Sequence, residues 1–64
     1  MIVVNGEPYG AEDLTVQALV ERLTIEQRGI AVALDGEIVH RGEWSTTLVR
    51  DGARIEIVTA AAGG

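Results

Sequence analysis

The side chains of this sequence offer few groups that could carry out chemistry on their own. Cysteine is absent, which excludes thiolate metal sites, disulfides and a cysteine nucleophile. His40 is the only histidine; no spaced carboxylate pair completes a metal site with it, so we expect an exposed residue at the end of a strand. No set of residues supplies a nucleophile together with its general base, and no glycine-rich loop follows a strand as phosphate binding requires. The sequence therefore predicts a protein that is not an enzyme and that binds no metal or cofactor of its own.

The C-terminal residues differ in composition from the rest of the chain. Residues 59–64 read Thr-Ala-Ala-Ala-Gly-Gly, with no large side chain to pack, and are predicted to form a mobile tail. Gly63 and Gly64 lack a Cβ atom, so this end could thread a narrow channel and its last carbonyl could be approached from either side. Ala62 adds little bulk behind them. Fully extended, six residues reach roughly 20 Å, enough to place Gly64 inside a partner while the folded part stays outside.

Length and charge narrow the choice of partner. The 64 residues are predicted to form one domain over residues 1–64, too small for a deep catalytic cleft. Ten acidic against five basic side chains give a net charge of -5, which disfavours nucleic acid and anionic membrane surfaces and favours a basic groove on another protein.

No apolar run reaches the roughly 20 residues that cross a bilayer. Met1 also leads directly into β-branched residues without a targeting segment, so we expect a cytoplasmic protein.

Turn signals separate short segments that are rich in β-branched residues. Three such signals occur, at Asn5-Gly6, Asp35-Gly36 and Asp51-Gly52. They delimit predicted strands at residues 1–4, 7–11, 30–34, 37–40 and 54–58. Pro8 lacks an N–H and should place the second strand at a sheet edge or shorten it. Large and small apolar residues alternate over residues 30–34, which predicts a strand covered on both faces. Residues 41–49 look irregular.

One amphipathic helix is predicted between the second and third strands. Its apolar positions are spaced three and four residues apart, at Val16, Leu19, Val20 and Leu23. Thr15 is the expected N-cap, and residues 24–27 have the spacing of a second capping box. The helix should therefore stop near Leu23, with a single turn before Gly29. Trp44, the sole tryptophan, is expected to close the core beneath the irregular segment, with an interface anchor as the alternative.

This order of elements predicts an α+β fold in which one main helix covers one face of a mixed sheet: the β-grasp (ubiquitin-like) arrangement, here with a flexible C-terminal Gly-Gly tail. Over essentially its whole length the sequence resembles the ThiS family, the sulfur carrier proteins of thiazole biosynthesis, which are small β-grasp proteins ending in Gly-Gly. The resemblance is carried by residues 31–39 (AVALDGEIV), 41–44 (RGEW), 51–58 (DGARIEIV), 63–64 (GG) and 4–8 (VNGEP). It departs at His40, where much of the family has proline, and in the plain alanine run of residues 60–62.

The resemblance implies a chemistry for Gly64. A carboxylate is a poor acyl donor, whereas its mixed anhydride with AMP has a good leaving group. In the family, a ubiquitin-activating-like adenylyltransferase of the ThiF type uses ATP to form this anhydride, and sulfur from a cysteine-derived persulfide donor replaces AMP to leave a thiocarboxylate. The thiocarboxylate donates sulfur to a thiazole synthase of the ThiG type, which builds the thiazole ring of thiamine. By resemblance, Gly64 would carry the sulfur, and Gly63 and Ala62 would thread into the partner's active site.

Other uses of this fold and tail stay open. The chain could be a sulfur carrier for molybdopterin or cysteine synthesis, although residues 34–37 and 43–44 look more like the thiazole branch. It could be a ubiquitin-like modifier whose Gly64 is passed to a lysine amine, or an interaction module with an inert tail. We expect the partner to dock on the sheet face that the helix leaves uncovered, with Val58 and neighbouring tail-side residues as the nearest candidates.

Overall fold

A mixed β-sheet with one α-helix packed on one face makes up the fold, which the computed structural model describes for residues 1–11, 13–23 and 28–59. In chain order the elements are β1 (Ile2–Val4), β2 (Glu7–Tyr9), β3 (Leu14–Thr15), α1 (Val16–Arg22), β4 (Ile30–Leu34), β5 (Glu37–Val39), a 3₁₀ turn (Arg41–Glu43), β6 (Leu48–Val49) and β7 (Arg54–Thr59). The main sheet has five strands in the order β2-β1-β7-β4-β5. β1 runs parallel to β7, and the other neighbours are antiparallel. The predicted β-grasp fold is confirmed.

Two hairpin turns have the geometry that their sequences predict. Asn5 and Gly6 have φ values of 51° and 84°, and Asp35 and Gly36 have φ values of 50° and 89°. Positive φ at both central positions is the requirement of a type I′ turn, which Asn, Asp and Gly meet at the lowest steric cost. Both turns therefore join neighbouring antiparallel strands, and β2 with Pro8 lies at the sheet edge as expected.

The helix begins and ends where the sequence predicts. Thr15 is the N-cap, and its hydroxyl oxygen accepts a hydrogen bond from the Ala18 backbone N–H at 3.1 Å. This contact satisfies one of the N–H groups that the first helical turn leaves without an intrahelical partner. α1 ends at Arg22, and Leu23 is its C-cap. The predicted second capping box at residues 24–27 lies outside the described residues.

A small second sheet lies in the segment that the sequence predicts to be irregular. β3 pairs antiparallel with β6. Beside this pair, the carbonyl oxygens of Thr47 and Trp44 accept hydrogen bonds from the Val16 and Gln17 N–H groups at 2.9 and 3.0 Å. The segment thus completes the capping of α1 that Thr15 begins. A strand of two residues shows no periodicity, so the sequence carries no signal for this pairing.

The hydrophobic core lies between α1 and the main sheet. Its fully buried side chains are Ile2, Val16, Leu19, Val20, Val32, Trp44, Val49 and Ile55. Trp44 is 1% exposed, and its indole N–H donates a hydrogen bond to the Val39 carbonyl oxygen at 2.9 Å, which satisfies the polar edge of the ring inside the core. The Arg41 guanidinium lies 5.0 Å from the centre of the ring. The prediction that Trp44 closes the core is confirmed.

Candidate functional site

The end of β7 is the described part of the chain that stands nearest in sequence to the predicted reactive residues. Ala62, Gly63 and Gly64 lie outside the described residues, and their roles stay predictions. Thr59, predicted as the first residue of the tail, is instead the last residue of β7 and pairs with Ile30. The boundary moves because pairing with β4 continues through this residue. β7 lies between β1 and β4 in the middle of the sheet, so the residues that follow it are attached to a central strand.

The sheet face opposite α1 carries the second part of the candidate site. On β7, the residues that alternate with the buried ones point to this side. Ala33 lies opposite both Glu56 and Ile38 in the strand register, and Ala31 lies opposite Val58. Residues directly opposite one another in a sheet share a face. We call the surface made of these five residues the open face.

Two large aliphatic side chains stand on the open face on either side of a floor of small ones. Val58 is 59% exposed and Ile38 is 61% exposed, whereas Ala31 and Ala33 are half-buried. The expectation that β4 is covered on both faces is wrong for this side, because α1 packs on the other face and no further described element covers the alanines. Sequence reasoning named Val58 but missed Ile38. The signal that the sequence offers for Ile38 is the Asp35-Gly36 turn, which fixes the register that places Ile38 opposite Ala33.

Side chains of two turns hold β7 at its two ends. At the end nearer the tail, the Asn5 amide oxygen accepts a hydrogen bond from the Ile57 N–H at 2.7 Å, and the amide nitrogen donates to the Ile57 carbonyl at 3.2 Å. At the start of the strand, the Asp35 carboxylate accepts from the Arg54 N–H at 2.9 Å, and the Asp35 N–H donates to the Arg54 carbonyl at 2.8 Å. Sequence reasoning recognised both residues only as turn formers.

Two observations on the described residues bear on metal and acid–base chemistry. No group of three or more His, Asp or Glu residues among them could hold a metal ion, and His40 is exposed after β5, as expected. A hollow of about 570 Å³ beside the end of β7 has no acid–base pair among its described lining residues, which are Val4, Asn5, Leu23, Arg28, Ile30, Ile57 and Thr59. In the described part of the chain, α1 is too short to cross a bilayer and no other helix is long and apolar enough. What the described residues do offer is a strand end and an apolar surface beside it.

Known proteins are similar to this chain in sequence and in fold. The chain matches the ThiS family over residues 1–64. It is 34% identical over 64 residues to the sulfur carrier protein ThiS of Thermus thermophilus, with 100% of both chains covered. It is 36% identical over 64 residues to a thiazole synthase of Paramagnetospirillum magneticum; that match covers 98% of this chain but spans only 20% of the length of that protein. The crystal structure of the thiamine biosynthesis protein ThiS from Geobacter metallireducens has a TM-score of 0.85 at 36% identity, with 98% of this chain and 97% of that chain covered.

Proposed function

Since the chain belongs to the ThiS family, we propose that it is a sulfur carrier protein of thiamine biosynthesis that acts through the carboxylate of Gly64. The observation that carries the proposal is the family match over residues 1–64, a range that includes Gly63 and Gly64. The likeness in length and fold to proteins named ThiS supports it further.

The carboxylate of Gly64 must be activated before it can accept sulfur. A carboxylate oxygen attacks the α-phosphorus of ATP held by a ThiF-type adenylyltransferase, pyrophosphate leaves, and an acyl adenylate forms. The terminal sulfur of a cysteine-derived persulfide then attacks the acyl carbon and AMP leaves. A thiol cleaves the remaining S–S bond, which releases the thiocarboxylate on Gly64 and leaves a disulfide on the donor. ATP is bound by the partner in this scheme, and the chain itself binds no cofactor and catalyses no step.

The open face is proposed to dock the adenylyltransferase while the tail reaches its active site. Val58 directly precedes Thr59, the last residue of β7, so docking through Val58 brings the base of the tail to the partner's surface. The residues 60–64 that follow span roughly 17 Å when extended. Ile38 and Val58 supply the exposed apolar side chains, and the net charge of -5 favours a partner with a basic groove. The proposed location is the cytoplasm, where ATP is available to the partner.

A thiazole synthase of the ThiG type is the proposed acceptor of the sulfur. The match of this chain to about a fifth of a protein named thiazole synthase (20% of its length) supports this choice. The thiocarboxylate suits the task because its sulfur is a nucleophile that can bond to the acceptor. Water can then attack the acyl carbon of the resulting thioester and break its C–S bond, which leaves the sulfur on the acceptor and returns Gly64 to a carboxylate. The carrier would thus be regenerated for another round.

Deleting Gly63 and Gly64 tests the proposed function. With a ThiF-type enzyme and ATP, the intact chain should support exchange of labelled pyrophosphate into ATP, and the shortened chain should not. Binding of the shortened chain to the enzyme, measured by calorimetry, should change little because the open face is retained. This binding measurement shows whether a loss of exchange comes from lost chemistry or from lost docking.

Three results would overturn the proposal, and a fourth would change only the pathway. Exchange that survives the deletion would show that Gly64 is not the site, and no exchange by the intact chain with a verified partner would favour the inert interaction module. Transfer of the adenylated Gly64 to a lysine amine, seen as isopeptide conjugates, would favour a ubiquitin-like modifier. Sulfur transfer to molybdopterin or cysteine synthesis, and not to thiazole synthase, would keep the carrier chemistry and reassign the pathway.

A further inference from the structure

We infer that Asn5 is a positioning residue for the proposed carrier reaction: its side chain fixes the tail-side end of β7 and so sets how the tail is presented to the partner. The inference rests on the proposed function. Its observation is the pair of hydrogen bonds between the Asn5 amide and both backbone groups of Ile57. Asn5 is 52 positions away from Ile57 in sequence, so this contact joins the first turn of the chain to the strand that leads to the tail.

The Asn5 side chain continues a strand pairing that the backbone can no longer make. β1 pairs parallel with β7 only through Val3 and Val4. The Asn5 N–H still donates to the Ile55 carbonyl at 2.8 Å, but at Gly6 the chain turns away into β2. The next backbone groups along β7 belong to Ile57, and the amide of Asn5 supplies one acceptor and one donor to them, as a neighbouring strand would. β7 is thereby held on both sides up to two residues before its end.

We call the two hydrogen bonds between the Asn5 side chain and Ile57 the Asn5 clamp. Substitutions at position 5 can remove the clamp and keep the turn. The φ of 51° at Asn5 is accessible to Asn, Asp and Gly, but only asparagine among them offers an acceptor and a donor together. Asn5→Gly therefore keeps the turn and removes both contacts to Ile57. Asn5→Asp keeps the acceptor for the Ile57 N–H and places a second carboxylate oxygen against the Ile57 carbonyl, which repels it.

The other end of β7 provides a matched control. Asp35 also begins a type I′ turn with φ of 50°, is also exposed, and also binds the backbone of β7 through its side chain, at Arg54. Asp35→Gly removes that contact at the opposite end of the strand from the tail. If the substitutions only destabilise β7 in general, both glycine variants should lose kcat alike. If Asn5 positions the tail, the two variants should differ in kcat.

The experiment compares the wild type with the Asn5→Gly, Asn5→Asp and Asp35→Gly variants at a temperature where all four are folded. Steady-state adenylation by a ThiF-type enzyme should show kcat about tenfold lower for Asn5→Gly, because misplacing a reacting group slows chemistry more than binding. KM should stay within about twofold, since the open face is retained. Asn5→Asp should be intermediate in kcat, and Asp35→Gly should stay within about twofold of the wild type by the same reasoning. Amide hydrogen exchange at Ile57, Val58 and Thr59 should accelerate in Asn5→Gly and not in Asp35→Gly.

Equal kcat values for the two glycine variants, or unchanged exchange at the end of β7 in Asn5→Gly, would overturn the inference. A KM effect without a kcat effect would also overturn it, since Asn5 would then act in docking. If the wild type is not adenylated at all, the proposed function fails, and the positioning role of Asn5 fails with it. The hydrogen-exchange comparison would still decide whether the clamp exists.

Discussion

The two faces of the main sheet use the same strands in different ways. On the side of α1, Val32 and Ile55 have no exposed surface; on the open face, Ile38 and Val58 expose 61% and 59% of theirs. β7 contributes to both faces, with Ile55 buried and Val58 exposed only three positions later. Alternation along one strand thus separates the side chains that stabilise the fold from those available to a partner.

The largest expected effect comes from the covered face. Ile55→Ala should lower the free energy of unfolding by about 2–5 kcal/mol, because it removes fully buried methyl and methylene groups from a packed core. Urea denaturation measures the change. Val58→Ala is the matched control on the same strand and should cost under about 1 kcal/mol, since its side chain is largely in water already. Equal losses for the two variants would break the distinction between the faces.

Substitutions on the open face should change partner binding and leave the stability of the fold unchanged. Val58→Glu places a charge where apolar contact is proposed and should raise the KM for adenylation about tenfold, the usual consequence of disrupting one anchor residue of an interface. Thermal unfolding should change little. Leu48→Glu is the control, because Leu48 is 48% exposed but lies on β6, outside the open face. If both variants raise KM alike, the open face is not the docking surface.

The helix N-cap offers a change that should affect stability alone. Thr15→Ala removes the acceptor of the Ala18 N–H and should lower the free energy of unfolding by about 1 kcal/mol, measurable by urea denaturation. Thr15→Ser keeps the hydroxyl and should recover most of that loss. Adenylation by the folded variant should be unchanged. A drop in kcat for Thr15→Ala would show that the α1 side of the molecule takes part in function after all.

The smallest expected effect is electrostatic. The net charge of -5 should speed association with a basic partner, so the association rate should fall as salt is raised from low to physiological ionic strength. Stopped-flow measurements of partner binding would show it. Glu56→Gln, on the open face, should weaken the salt dependence more than Glu21→Gln on α1. A salt-independent rate would argue against a basic docking groove.

The sequence predicted the elements whose signals are local. The Asn-Gly and Asp-Gly turns depend on two residues each, the helix on its repeating apolar spacing, and the N-cap on Thr15, and all three are confirmed. The buried position of Trp44 followed from its type. Such features need no knowledge of what the rest of the chain does.

The features that the sequence missed depend on contacts between distant parts of the chain. The pairing of β3 with β6 joins residues 14–15 to residues 48–49 and leaves no periodic trace in two-residue strands. Ile38 joins the open face only through its register against Ala33. The contact of Asn5 with Ile57 crosses 52 positions, so the Asn-Gly signal could reveal the turn but not the strand that its side chain holds.

Mass spectrometry of the chain after incubation with ATP, a ThiF-type adenylyltransferase and a sulfur source tests whether Gly64 carries sulfur. Because the chain contains no cysteine, a thiol alkylator should leave the starting protein unmodified and label only acquired sulfur. Fragmentation must map the adduct, since oxidation of Met1 mimics the exchange of oxygen for sulfur in nominal mass. One alkylated sulfur on Gly64 is the expected result. Adenylated Gly64 that never gains sulfur, or an adduct elsewhere in the chain, would rule out the sulfur-carrier proposal.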